Sequence, residues 1–178
     1  MRALVVYESM FGNTRAIAES VASSLETSFE IDIVRALEAP ALTTQIGLVI
    51  VGSPTHGWGL PRASTRQGAV ARRDKVGSAA ALEPGAESAG VREWLDGLAT
   101  SSGFAAAFDT RVRAPAFLTG RASPKIAAAL RRGGRELVIA PESFLVERTD
   151  RLVAGERERA FSWGETVARE VSRRLEVV

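Results

Sequence analysis

The 178-residue chain has no cysteine, a single histidine (His56), a single tyrosine (Tyr7) and lysine only at Lys75 and Lys125. Without thiolates there is no zinc–thiolate site, no iron–sulfur ligation and no cysteine nucleophile. One imidazole leaves little for a His-based metal cage or a Ser–His–Asp triad. No run approaches the roughly 18 to 20 apolar residues of a membrane span. The N-terminal run Ala3 to Tyr7 is too short for a signal peptide and is followed by Glu8. A cytoplasmic protein with no stable membrane insertion is the expectation. Excess charge is also absent: 23 Lys and Arg against 21 Asp and Glu give a formal +2, and 46% of residues are hydrophobic, which excludes global disorder. The pI of 9.6 reflects cations that are nearly all Arg and do not titrate off, so it is no sign of a nucleic-acid partner, and none is expected.

What the chain does have is an alternation of short apolar runs with helical periods, the pattern of repeated βαβ units and a parallel sheet in one domain spanning 1–178. Strands are expected over Ala3 to Tyr7, Phe29 to Val34, Ile46 to Val51 and Phe104 to Phe108. A fifth runs over Glu136 to Ile139 and Ser143 to Val146, interrupted at Pro141. Thr14 to Leu25 reads as a helix with Ile17, Val21 and Leu25 on one face. Val91 to Leu98, Pro124 to Arg132 and Glu156 to Leu175 read as further helices, with Ser123 the N-cap and Pro124 the first helical residue. Pro61 to Gly90 has no clear period. A short helix from Ser64 to about Arg73 and a mobile excursion over Gly77 to Gly90 are expected there.

Three polar loops leave carboxyl ends of strands, where doubly wound sheets of order 2-1-3-4-5 bind ligands. In the first, Ser9-Met10-Phe11-Gly12-Asn13-Thr14 lies at a strand-to-helix turn. Unpaired N–H groups and the helix dipole favour an anion there, with hydroxyl and amide donors beside them. Asn13 or Thr14 acting simply as a helix cap is the alternative. The loop is neither a Walker loop nor a Gly-x-Gly-x-x-Gly turn. The second is Gly52-Ser53-Pro54-Thr55-His56-Gly57-Trp58-Gly59. Its Trp58 can stack a planar ligand or pack on the domain edge, and its His56 can bond a ligand or its own backbone. The third is Ala107-Phe108-Asp109-Thr110-Arg111-Val112-Arg113. Backbone groups there can reach a ring edge, or Asp109 can pair with Arg111 or Arg113 in a solvated turn.

Ser9 to Thr14 resembles the phosphate loop of flavodoxins, and Ser53 to Gly59 resembles their second, flavin-flanking loop. The resemblance implies a flavodoxin-like α/β fold, a doubly wound five-stranded parallel sheet of order 2-1-3-4-5 with helices on both faces, binding FMN. Ser9, Met10, Phe11, Gly12, Asn13 and Thr14 would hold the phosphate. Pro54, Thr55, His56, Gly57 and Trp58 would flank the ring, and Phe108, Asp109, Thr110 and Arg111 would line its pyrimidine edge. The family commonly stacks a third-loop tyrosine on the flavin, and this chain has none there. The implied function is electron carriage between a reductase and an acceptor, the flavin doing the chemistry and no side chain being catalytic. The alternative is an FMN-dependent oxidoreductase such as a quinone reductase or a menaquinone-dependent protoporphyrinogen oxidase. Arg62, Arg66, Arg72 and Arg73 would then meet substrate carboxylates or phosphates. Carriers of this family are typically acidic, and +2 departs from that pattern. Oligomeric state is left open.

Overall fold

The computed structural model describes residues 1–76 and 81–176, with the side chains of 74–76 excepted. The apolar runs become strands of one sheet because both of its faces are covered. These are β1 (Arg2–Tyr7), β2 (Glu30–Arg35), β3 (Ile46–Pro54), β4 (Phe104–Val112), β5 (Glu136–Leu137) and β6 (Glu142–Val146). The order is β2-β1-β3-β4-β5, and every pairing is parallel. β6 also pairs with β4, along Phe108 to Val112, while β5 pairs only with Phe104 and Ala105. The two are successive pieces of one edge position, broken ahead of Pro141, which has no N–H to give to a ladder. This is the interrupted fifth strand the sequence predicts.

Helices α1 (Asn13–Leu25) and α6 (Glu156–Leu175) cover one face, burying Ile17, Val21, Leu25, Trp163, Val167 and Val171 against Val5, Ile50 and Phe108. Helices α3 (Val91–Asp96) and α5 (Ser123–Arg132) cover the other, with Val91, Leu95, Ile126 and Leu130 against Val6, Val49, Val51 and Ala107. Each such fully buried branched side chain contributes about 1.5 to 3 kcal/mol. Phe108, Phe144 and Trp163 meet edge to face at 5.9 to 6.2 Å between centroids.

Three expectations are corrected, and one helix is added. Helix α2 runs over Ala63–Val76, longer than Ser64 to Arg73. It lacks an apolar stripe because its anchor is ionic: Arg66, only 1% exposed, donates from Nε to Glu8 Oε1 at 2.8 Å and from a terminal NH₂ to Glu93 Oε2 at 2.8 Å. The other Glu8 oxygen accepts the Val91 N–H at 2.9 Å. Burial works against the Arg66 charge, but the two carboxylates overcome it and raise its pKa. Arg66 is thus held by the protein's own acids and is not offered to a substrate. The excursion expected over Gly77 to Gly90 is docked from residue 81 onward, 77–80 lying outside the described residues. The Glu83 N–H bonds Met10 O at 2.8 Å, Glu83 pairs with Arg15 at 2.9 Å, and Ala86 is buried. A short helix α4 (Ala116–Thr119), not expected, follows β4.

Candidate functional site

A crevice opens at the carboxyl end of the sheet, where β1 and β3 diverge into their loops. Ser9, Met10, Phe11, Asn13 and Thr14 form one wall, Pro54, Thr55 and His56 a second, and Thr110 and Arg111 the floor and far side. The loop after β1 turns at Gly12, whose φ of +85° suits a residue without Cβ. Gly12 is the residue before α1, and no side chain caps this helix. Neither Asn13 nor Thr14 serves as the cap the sequence left possible. The Asn13 amide donates to the main-chain O of Asp150 at 3.0 Å, and Thr14 Oγ1 lies 2.8 Å from Thr110 Oγ1. The Ser9 hydroxyl accepts the Gly12 N–H at 3.1 Å and stiffens the turn. The first-turn N–H groups have no intrahelical acceptor, and Asn13 and Thr14 of that turn line the crevice at the positive end of the dipole.

His56, Gly57, Trp58 and Gly59 form a tight hairpin turn. N–H groups of His56 and Gly59 bond each other's carbonyls at 2.8 and 3.0 Å, and φ is +51° at Gly57 and +64° at Trp58. Positive φ at both central residues is the type I′ geometry. For tryptophan it is strained by about 1 to 3 kcal/mol. The turn projects Trp58 outward, 64% exposed, so Trp58 and Gly57 stand at the rim and do not line the crevice. Gly120 pairs with Trp58, and a Cβ there would sit 2.2 Å from Trp58 Cα. The turn is thereby fastened to α4, whose Phe117 and Leu118 are also exposed, Phe117 by 80%. His56 lies inside. Burial, then the charges of Arg66 and Arg72, lower its pKa to about 4, so the imidazole is neutral at physiological pH.

The third loop is corrected most. Residues 108–112 are strand, because β6 supplies a partner along their whole length. Alternation then sorts the side chains. Phe108 is fully buried among Phe144 and Trp163 and does not reach the crevice. Asp109 is equally buried and points to α5, where its Oδ2 accepts the Ser123 N–H at 2.7 Å. Asp109 therefore satisfies that helix terminus, and the Ser123 hydroxyl, expected as the cap, has no partner. Asp109 forms no ion pair with Arg111 or Arg113. Thr110 faces the crevice, and Arg111 reaches it while donating to Ala114 O at 2.5 Å.

No protein-family model matches this sequence, and no curated protein matches it. Solved structures do. Oxidised flavodoxin 1 from Bacillus cereus superposes with a TM-score of 0.63 at 19% identity, over 97% of this chain and 98% of that one. A flavodoxin from the domain Archaea gives 0.62 at 18%, over 97% and 99%. A WrbA-like flavodoxin from Agrobacterium tumefaciens gives 0.56 at 17%, over 97% and 98%. The strand order agrees with theirs. This chain has the flavodoxin-like fold.

In this flavodoxin-like domain, three buried polar atoms without a hydrogen-bond partner belong to crevice residues: His56 Nδ1, Arg111 Nε and Asp150 Oδ2. Unsatisfied buried groups are rare in folded proteins, and these three of the six found among the described residues leave open hydrogen-bonding capacity on one cavity, the other three being Asp109 Oδ1, Ser123 Oγ and Trp163 Nε1. Asp150, Val146, Ala69 and Arg72 line the crevice as well. The sequence offers no signal for Asp150, which is 137 residues from Asn13 and reads only as part of a polar turn. Among the described residues no group of three or more His, Asp or Glu stands ready to hold a metal ion, and no helix is long and apolar enough to cross a membrane.

Proposed function

We propose that the crevice binds FMN and that the protein carries electrons between a reductase and an acceptor. The observation supporting this most is the uncapped N-terminus of α1 opening on a crevice with unsatisfied polar atoms. That is an environment for a ligand with an anionic end and hydrogen-bonding edges. Residues Ser9 to Thr14 would take the phosphate, with the α1 dipole and the hydroxyls of Ser9 and Thr14 as donors. Pro54, Thr55 and His56 would flank the ring, and Thr110 and Arg111 would meet its polar edge. Trp58, on its turn, would stand where an exposed ring face ends. Bound FMN supplies the electron chemistry; the chain supplies position and field.

Electron carriage is favoured over turnover of a substrate by what the side chains are doing. Arg66 is locked to Glu8 and Glu93, Glu83 docks on Met10 and Arg15, and the sole imidazole is held neutral by burial. The exposed Trp58, Phe117 and Leu118 beside the crevice suit contact with a redox partner. Solved proteins of similar fold include flavodoxins and, over 37% of its length, the rubredoxin:oxygen oxidoreductase of Desulfovibrio gigas.

The purified protein is expected to be yellow, to release FMN on denaturation, and to turn over NAD(P)H and a quinone negligibly without a separate reductase. Replacing Asn13 and Thr14 with alanine is expected to weaken FMN binding, followed by tryptophan quenching, far more than Asp109→Ala. Colourless protein that FMN does not quench would refute the reading. Equal losses in the two variants would refute the loop assignment, and brisk unassisted quinone reduction would make it an enzyme.

A further inference from the structure

Beside the uncapped helix, Arg72 of α2 donates to Asp150 Oδ1 at 3.1 Å, while Asp150 Oδ2 is buried without a partner. The Asp150 side chain is 9% exposed and the Arg72 side chain 50%. Asp150 sits at the tip of a closed turn in which the Glu147 N–H bonds Arg151 O at 2.7 Å, and its own φ is +59°. A buried carboxylate with one oxygen unsatisfied costs about 1 to 3 kcal/mol. Asp150 adjoins the start of α1, its main-chain O accepting from the Asn13 amide at 3.0 Å, and that terminus attracts anions while having no acidic side chain in its own first turn. The pair is therefore an anion site filled by an ill-fitting internal anion. One carboxylate oxygen serves Arg72, and the other serves nothing.

We propose that Arg72 is the residue that selects phosphorylated ligands in this crevice, and that Asp150 is its resting counter-ion, displaced when a phosphate monoester binds. The proposal rests on the FMN reading for the identity of the ligand, but on Arg72, Asp150 and α1 for the anion. A phosphate carries more charge than a carboxylate and a third acceptor oxygen. It can serve the planar guanidinium fork and the first-turn N–H groups together. Arg72 is held in reach because α2 is fixed through Arg66, six residues earlier, to Glu8 at the root of the same loop.

The test compares FMN with riboflavin, which lacks the phosphate, in the full-length protein. Arg72→Gln is expected to weaken FMN by about tenfold or more, the range for a hydrogen bond to a charged group, and to leave riboflavin unchanged. Asp150→Asn keeps a residue that tolerates positive φ and removes the competing charge. It is expected to tighten FMN and leave riboflavin unchanged. Inorganic phosphate against chloride at matched ionic strength is expected to raise the melting temperature of the wild type and not of Arg72→Gln. Equal losses of both flavins in Arg72→Gln, unchanged FMN binding there, or weaker FMN binding in Asp150→Asn would overturn the proposal. If neither flavin bound but phosphate still protected only the wild type, the anion site would stand and the FMN reading would fall.

Discussion

Arg66→Met is the perturbation that separates structural from ligand-facing arginines. In the structure Arg66 is buried between two carboxylates, and the main effect of removing it is to strand Glu8, which is 6% exposed. Glu8 would keep only the Val91 N–H at 2.9 Å. Breaking a buried pair by deleting one partner typically costs about 3 to 5 kcal/mol, because the remaining charge is left uncompensated. Glu93 adds little, since its side chain is 39% exposed and water can take over its solvation. For a domain of this size each kcal/mol lowers the midpoint by about 2 to 4 °C, so a drop of about 6 to 20 °C is expected. Thermal and urea unfolding followed by circular dichroism measure it. The double variant Glu8→Gln/Arg66→Met carries no stranded charge and should recover part of the loss, a coupling that a double-mutant cycle isolates. A midpoint within a degree of wild type, or a double variant no better than Arg66→Met, would refute the view that α2 is anchored by this pair.

Acid should destabilise the protein in two stages. The folded pKa of His56 is lowered to about 4, first by burial and then by Arg66 and Arg72, from 6.5. The unfolded chain therefore binds the extra proton, and stability falls as pH drops from about 6.5 to about 4, by about 3 kcal/mol at most. His56→Asn should flatten that part of the urea-midpoint profile. Burial raises the pKa of Glu93, but Arg66 and the Gly90 N–H outweigh it and hold it at about 2. Its contribution, kept small by the 39% exposure of the side chain, is present above about pH 4.5 and fades as pH falls toward 2, a shallow slope that Glu93→Gln should remove. Asp109→Ala should cost about 1 to 2 kcal/mol through the lost Ser123 N–H bond at the start of α5, read by urea unfolding, with FMN affinity unchanged.

The sheet order, the helices on its faces and the first loop were legible because they rest on local patterns: apolar runs such as Ile46 to Val51, and glycine at a strand-to-helix turn. Phe108 and Asp109 were misplaced because strand length is set by the partner. Glu142 to Val146 extends β4 through residues that look like a polar loop by themselves. Helix α2 was under-read for a related reason, since its anchor is a single ionic residue whose acids are 58 and 27 positions away. Asp150 could not be read at all. Its place opposite Asn13 depends on how the chain returns after β6, which no periodicity encodes.

That return has a kinetic consequence. Val153 donates its N–H to Leu145 O at 3.0 Å and Leu152 bridges Val146, so the segment carrying Asp150 also seals the outer edge of β6. An exposed strand edge invites pairing with other chains, and a backbone movement large enough to withdraw Asp150 would unzip that seal. Rotation about the Asp150 side-chain bonds would withdraw the carboxylate at the cost of its Arg72 bond alone, leaving that backbone seal intact. Burial of the side chain slows such a rotation below the picosecond-to-nanosecond flips of exposed residues, but it breaks no backbone hydrogen bond and so stays faster than loop rearrangement. Phosphate-ligand association should accordingly be a single phase whose rate rises linearly with ligand concentration, with no plateau set by a slow opening.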